Sequence, residues 1–290
     1  MSASSGGRPH TRSWYAHTDA MRAAVDDSAA VLMRMWQRRF HAFIIAGSGV
    51  SAAFRTWEHC HSVGYEELPG FITSAVHGHA NRISWMRVDG DDVLVFHGRR
   101  HLYEGAELWD AVAPVLLAQR MGAVDCVLSN AAGGLSPALA SGDIMVATDL
   151  MNGTWRGVVA SGNGSASLVD AAWSERTARA SAAATTCGIG NVRRGVYVSV
   201  LGPSYETRAE VRMYARFADA IGMSTIHEAQ TAVQLGMSVV AISVISNTLH
   251  GTEATKLTHD EVLQTAADSA ARLGEVLAGA LRTRGGNHAG

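Results

Sequence analysis

Apolar and polar positions change their period several times along this chain. Met21, Val25, Val31, Leu32, Met35 and Trp36 recur at helical spacing with Asp26, Asp27 and Arg34 between them, which predicts an amphipathic helix. The run Phe43-Ile44-Ile45-Ala46 follows as a buried strand and ends in Gly47-Ser48-Gly49. Ile83 to Val88 and Val93 to Phe96 read as the two strands of a hairpin around Asp89-Gly90-Asp91-Asp92. A helix is expected from about Glu107 to Met121, kinked or restarted at Pro114 and closed by Gly122. Strands are expected at Val124 to Leu128, from Gly142-Asp143-Ile144-Met145, at Gly195 to Leu201, and at Met237 to Ile245 running into Ser246-Asn247. Thr258 and Glu261 stand at capping-box spacing and start a C-terminal helix with the stripe Val262, Ala266, Leu273, Val276, Leu277 and Ala280. No repeat or linker divides this pattern, so it reads as one domain over 18–282 with mobile ends at 1–17 and 283–290.

The stretch Gly195 to Glu228 carries the densest chemistry. Its strand stops at Gly202-Pro203, and Thr207 with Glu210 forms a capping box that starts a helix. Glu206 therefore sits at a strand-to-helix junction, where α/β proteins bind ligands. A second junction follows at Gly222-Met223-Ser224, with Thr225 and Glu228 at the same capping spacing. Two neighbouring helix starts suit a site of backbone N–H groups and one carboxylate, although Glu206 and Ser224 also suit plain caps. Upstream, Arg99 and His101 alternate on one side of the hairpin's exit, so two donors can face one anion.

Composition narrows the function classes. Hydrophobic residues make up 47% and charged residues 17%, which fits a chain that hides surface in an oligomer. A net charge of −2, from 24 basic and 26 acidic residues, with no basic stripe, argues against nucleic acid as partner. Cys60, Cys126 and Cys187 form neither a metal pattern nor a disulfide framework, which favours a reducing compartment. No apolar stretch has transmembrane length and Met1 to Pro9 lacks a signal core, so the expected location is cytoplasmic, with no membrane partner.

Several segments together resemble the trimeric purine nucleoside phosphorylases, with their methylthioadenosine phosphorylase-like relatives. GPSYET and DAIGMSTIHE stand where that family has GPxFET and DAVGMSTVPE. GRRHLYEG is similar to its GRFHYYEG, SNAAGGL to its TNAAGGL, and Gly47-Ser48-Gly49 to the start of its GSGLG turn. The likeness covers roughly 40 to 150 and 192 to 280. Between Leu150 and Val192 it departs: the family's long sugar-covering loop is replaced by Met151-Asn152-Gly153-Thr154-Trp155 and then Gly, Ser and Ala. Trp155 fits either the family's loop aromatic, which reaches across a trimer interface, or an ordinary exposed residue.

The resemblance implies a single α/β domain with a mixed, partly barrel-like central sheet flanked by helices, assembled as a homotrimer. It implies phosphorolysis of a purine nucleoside, 6-oxopurine preferred, to free base and (deoxy)ribose 1-phosphate. Inorganic phosphate is then a co-substrate, and neither an organic cofactor nor a metal is expected. Residue by residue, it assigns phosphate to Ser48, Arg99, His101, Ser224 and the N–H of Ala131, with His79 close by. The base falls to Glu206 and Asn247, with Tyr205 stacking beside it, the ribose hydroxyls to Tyr103 and Met223, and the sugar 5′ end to His259. The changed loop keeps open a phosphorylase for a 5′-modified or non-purine nucleoside. A non-catalytic relative would have lost Ser48, Arg99, His101 or Glu206, and all four are present.

Overall fold

The computed structural model describes residues 10–156, 192–250 and 259–281, with side chains from residue 19 in the first segment and from 261 in the last. Its strands are β1 (Ala42–Ala46), β2 (Glu58–Gly64), β3 (Arg82–Val88), β4 (Asp91–His97), β5 (Asp125–Gly134), β6 (Ile144–Asn152), β7 (Val192–Ser199), β8 (Ala220–Gly222) and β9 (Ser238–Thr248). Its helices are α1 (His10–Trp36), α2 (Leu108–Arg120), α3 (Arg208–Tyr214), α4 (Ile226–Gln234), α5 (His259–Asp268) and α6 (Ala270–Leu281).

The strands form one sheet in the order β2-β3-β4-β1-β5-β8-β7-β6-β9, and β9 also pairs with β5. Five strands (β5, β8, β7, β6 and β9) thus close into a ring, while β1, β4, β3 and β2 extend from β5 as an open wing. Parallel and antiparallel pairs are mixed, as the expected partly barrel-like sheet requires. In β1, Phe43 and Ile45 enter the core shared with Leu32 and Trp36 of α1 and Leu117 of α2. Ile44 and Ala46 enter the opposite core with Leu273 and Leu277 of α6. A strand buried on both faces has no reason to alternate, so it reads as a continuous apolar run.

Several elements differ from expectation. The backbone of α1 is helical from His10, well before Met21 where the apolar pattern begins; apolar periodicity marks only where a helix finds a core to face. Met35 belongs to the helical pattern yet is exposed, the buried stripe being Val25, Ala29, Leu32 and Trp36. The hairpin turn is two residues, Asp89 and Gly90, both at positive φ (52° and 91°), so β4 already begins at Asp91. Strand β2 was not anticipated: Glu-His-Cys-His-Ser is polar and mostly exposed, as suits an edge strand that pairs with β3. Helix α2 passes through Pro114 as one element. It ends in a Schellman motif, Gly122 N donating to Gln119 O and Ala123 N to Ala118 O, each at 2.9 Å. The C-terminal stripe is buried as expected, but on two helices, α5 and α6, that meet at Ser269.

Candidate active site

Strands β4, β1, β5 and β9 are mutually parallel, so their carboxyl ends open on one side. That single fact brings together positions far apart in sequence. Ser48 follows β1, Arg99 follows β4, Ala131 lies late in β5, and Asn247 lies late in β9. Strand β8 reaches the same edge through its antiparallel pairing with Gly133 and Gly134, and delivers Met223 and Ser224. One cleft is lined by Ser48, Arg99, His101, Tyr103, Ala131, Tyr205, Glu206, Met223, Ser224 and Asn247. Of the other sequence-predicted residues, His79 is not part of the lining but stands behind Ser48, its Nε2 3.1 Å from Ser48 Oγ. His259 is the first residue of α5, and its side chain lies outside the described residues. Leu249 and Val262 also face the cleft, which no local pattern announced.

Arg99 differs from the expected picture of a cation held out to an anion. It is 2% exposed and extends under the site. Its Nε donates to Glu228 Oε1 at 2.7 Å, Nη1 to Ser129 O at 2.7 Å, and Nη2 to Ile45 O at 3.1 Å. Toward the cleft Nη1 makes a longer contact, 3.4 Å, with Ser224 Oγ. Glu228, expected as half of a capping box, is instead this arginine's counter-charge. Burial raises its carboxyl on balance, and Arg99, with the Thr225 backbone, offsets only part of that rise. Thr225 correspondingly makes no side-chain cap. It is held at φ 80°, a left-handed value that costs a β-branched residue on the order of 1–3 kcal/mol. Asn130 Nδ2 steadies it by donating to Thr225 Oγ1 at 2.9 Å. The Ser224 carbonyl accepts from Ser199 Oγ at 2.7 Å and Tyr197 OH at 3.3 Å, so both sides of the strained peptide are tied to the ring.

Glu104 organises the neighbouring wall. Its carboxylate accepts from His101 N (2.7 Å), Ala75 N (2.9 Å) and Ser74 Oγ (3.0 Å), and meets His101 Nδ1 at 3.1 Å. Desolvation pushes this carboxyl upward, yet the donors from His101, Ala75 and Ser74 outweigh it and hold it down at about 2. An ionised carboxylate only accepts, so His101 Nδ1 carries a proton and Nε2 becomes the ring position that can take or give one. His101 is stacked between His79 (5.3 Å) and Tyr103 (4.9 Å).

The other end of the cleft holds Glu206 and Asn247. Desolvation, with Glu210 nearby, raises the Glu206 carboxyl above its usual range. Ser246 Oγ lies 2.9 Å from Asn247 Oδ1 and 3.2 Å from Ala132 O. One hydroxyl proton serves one acceptor at a time, so the Ser246 hydroxyl either donates to Asn247 Oδ1 or turns to Ala132 O and leaves the amide oxygen free. Tyr205 is half exposed at the mouth. Trp155 is 87% exposed and is not among the cleft's lining in the single chain. The divergent loop beyond it, 157–191, lies outside the described residues. Among the described residues no group of His, Cys, Asp and Glu could hold a metal ion, and no helix is long and apolar enough to cross a membrane.

A family model described as the phosphorylase superfamily matches residues 43–282. The chain is 35% identical over 251 residues to purine nucleoside phosphorylase 1 of Geobacillus stearothermophilus, covering 84% of this chain and 91% of that protein. It is 38% identical over 237 residues to the purine nucleoside phosphorylase of Mycobacterium leprae, covering 81% and 86%. To that of Bos taurus it is 32% identical over 260 residues, covering 85% and 90%.

Proposed function

Since this chain belongs to the phosphorylase superfamily, we propose that it cleaves 6-oxopurine nucleosides with phosphate, giving free base and (deoxy)ribose 1-phosphate. The observation that carries this reading is that one cleft holds an anion end (Ser48, Arg99, His101, Ser224 and the Ala131 N–H) and a base end (Glu206 and Asn247). The relatives named above are purine nucleoside phosphorylases, which supports a purine.

In this reading phosphate is the nucleophile. A C1′–O bond to phosphate forms as the C1′–N9 bond breaks, through an oxocarbenium-like transition state by analogy with glycoside chemistry. The proton carried by hydrogen phosphate ends on the leaving base. Ser48, Ser224 and the Ala131 N–H orient the anion, and buried Arg99 supplies positive potential from beneath. His101, its Nδ1 held by Glu104, has Nε2 with which to hold a phosphate proton. Glu206 accepts from N1–H of the base, and Asn247 accepts from N7–H as negative charge leaves the sugar. Tyr103 and Met223 border the ribose, Tyr205 flanks the base, and His259 belongs at the 5′ end. The chemistry calls for neither a metal nor an organic cofactor, and the reading includes a cytoplasmic location.

Base release from inosine should require phosphate and should yield pentose 1-phosphate in equal amount; equal release in phosphate-free buffer would move the chain to the nucleosidases. The reading also includes a homotrimer. Leu201, Tyr205, Met213 and Phe217, all exposed in the single chain and close together in sequence, supply apolar surface for such an assembly. Light scattering should give about three chain masses at micromolar protein, and a monomer there would refute it.

A further inference from the structure

Thr225 at φ 80° poses a question of restraint, because a strained β-branched residue keeps such a conformation only where its surroundings over-determine it. Part of the restraint is the pair of donors on the Ser224 carbonyl. The rest lies on the far side of Thr225, at His227, where this chain departs from the related DAVGMSTVPE motif by replacing its proline. Proline has no side-chain donor; an imidazole does.

His227 is 5% exposed, and its Nε2 lies 3.1 Å from Arg156 O and 3.3 Å from Thr154 Oγ1. A carbonyl only accepts, so Nε2 carries the hydrogen. Burial lowers the pKa of this imidazole, the bond to the Arg156 carbonyl offsets part of that, and the Arg156 charge lowers it again. The side chain is therefore a neutral donor at pH 7. Its acceptors belong to a turn that is itself knit by hydrogen bonds. Asn152 Oδ1 accepts from Thr154 N at 3.0 Å and from Thr154 Oγ1 at 2.6 Å, while Asn152 Nδ2 donates to Arg156 O at 2.7 Å. Arg156 N donates to Thr154 Oγ1 at 3.2 Å. The aromatic side chain of the turn, Trp155, is 87% exposed, so polar bonds rather than packing of that ring hold the turn.

The turn is also tied to the wall of the cleft. Gly153 N donates to Ser199 O at 2.8 Å, an approach that needs glycine, since a Cβ there would stand 2.9 Å from the same oxygen. Ser199 Oγ donates in its turn to the Ser224 carbonyl at 2.7 Å. These bonds close a circuit: Ser224 to Ser199, Ser199 to Gly153, the turn to His227, and His227 back along the chain through Thr225 to Ser224. Ser224, which lines the cleft, is one corner, and the strained residue lies inside the circuit.

We propose that His227 is a positioning residue, its Nε2–H latching the Arg156 carbonyl and so closing the circuit that holds Ser224 and Thr225 in place beside the cleft. This rests on the reading of Ser224 as part of the reacting site.

Phosphorolysis of inosine, measured as kcat/KM well below the melting temperature, tests it on wild type, His227→Ala, His227→Gln, Ser199→Ala and Ser199→Ala/His227→Ala. His227→Ala and Ser199→Ala each open the circuit and should each lower kcat/KM about 3- to 10-fold, the range of one net hydrogen bond. The Gln amide can place an N–H where Nε2–H stands, so His227→Gln should recover most of that loss. The double variant should lose no more than about 2-fold beyond the worse single one, because a circuit already open has little left to lose. Penalties that simply multiply, or a Gln variant as poor as Ala, would overturn the proposal. Tryptic cleavage of the native protein after Arg156 reads the latch apart from activity. His227→Ala should be cut there about 3- to 10-fold faster than wild type, and His227→Gln at close to the wild-type rate, because cleavage follows the population of the released turn. An unchanged rate in His227→Ala would equally overturn the proposal. A wild type that releases no base with phosphate would instead count against the proposed function, while the digestion still decides whether the latch exists.

Discussion

Replacing Arg99 with Met should lower the melting temperature by roughly 10 °C and reduce phosphate-dependent turnover at least about 100-fold; adding Glu228→Leu should restore most of the stability and none of the turnover. Both residues are 2% exposed, and their side chains pair at 2.7 Å. Removing one partner of a buried pair costs about 3–5 kcal/mol, because the other is left charged in a medium that does not solvate it. In a chain of this size each kcal/mol corresponds to about 2–4 °C. Replacing both partners with apolar groups removes that penalty. The single variant should also acquire a pH dependence. Burial raises the Glu228 carboxyl and Arg99 opposes the rise, so without the arginine the folded state keeps the Glu228 proton to higher pH than the unfolded chain does. From the ordinary carboxylate range up to the point where Glu228 ionises, the folded state binds more protons than the unfolded one, and stability falls as pH rises. The variant should therefore melt lower at pH 8 than at pH 5.5, by a margin absent from the double variant. Thermal melts at both pH values, paired with phosphorolysis assays, check each part. Full turnover in the double variant would show that Arg99 braces the fold and does not serve the anion.

The same pair shows where the sequence was legible. Thr207-Arg-Ala-Glu210 and Thr225-Ile-His-Glu228 carry the same capping signal, and only the first forms the box. There Thr207 N donates to Glu210 Oε2 at 2.7 Å and Glu210 N to Thr207 Oγ1 at 3.3 Å. The first pair is solvated, so local geometry decides it. The second lies beneath the cleft, where a guanidinium 129 positions earlier in sequence competes for the carboxylate and wins. Local spacing contains no term for such a partner. The buried strands β1 and β9 were legible because both faces are apolar, and β2 was not because an edge strand of His, Cys and Ser carries no alternation. The convergence of Ser48, Arg99, Ala131 and Asn247 depends on four parallel strands in one register. Motifs marked each position, but only the sheet order explains why they meet. Glu104 was visible as one letter of a motif, whereas its work of joining the segments at 74–75 and 101 is long-range hydrogen bonding that spacing does not display.

Asn247→Asp should shift base preference toward adenosine, and Glu206→Ala should reduce turnover of inosine and guanosine while leaving phosphate binding intact. Hypoxanthine and guanine present N1–H as a donor and O6 as an acceptor; adenine presents a bare N1 and an exocyclic amine. A carboxylate at Glu206 only accepts, so it pairs with N1–H and meets the adenine N1 lone pair with repulsion. An Asn side chain can accept from N7–H with Oδ1 and donate to O6 with Nδ2, whereas Asp loses the donor and gains an acceptor for the adenine amine. The Ser246 hydroxyl, within reach of Asn247 Oδ1 and Ala132 O, lets the amide take the setting that the base requires. One buried bond made or lost at such a site corresponds to ~10-fold or more in kcat/KM, so wild type should favour inosine over adenosine by at least that factor. Glu206 adds a pH signature. Its carboxyl is raised by burial and by Glu210, and once protonated it cannot accept from N1–H. Inosine kcat/KM should accordingly fall on the acid side at a pH above that of an ordinary glutamate, and this limb should be missing in Glu206→Gln. Competition between inosine and adenosine, measured for wild type and Asn247→Asp, decides the assignment. Wild-type preference for adenosine or uridine, or an unchanged preference in Asn247→Asp, would mean that the base is read by other groups and that the loop between 151 and 192 has redirected the site.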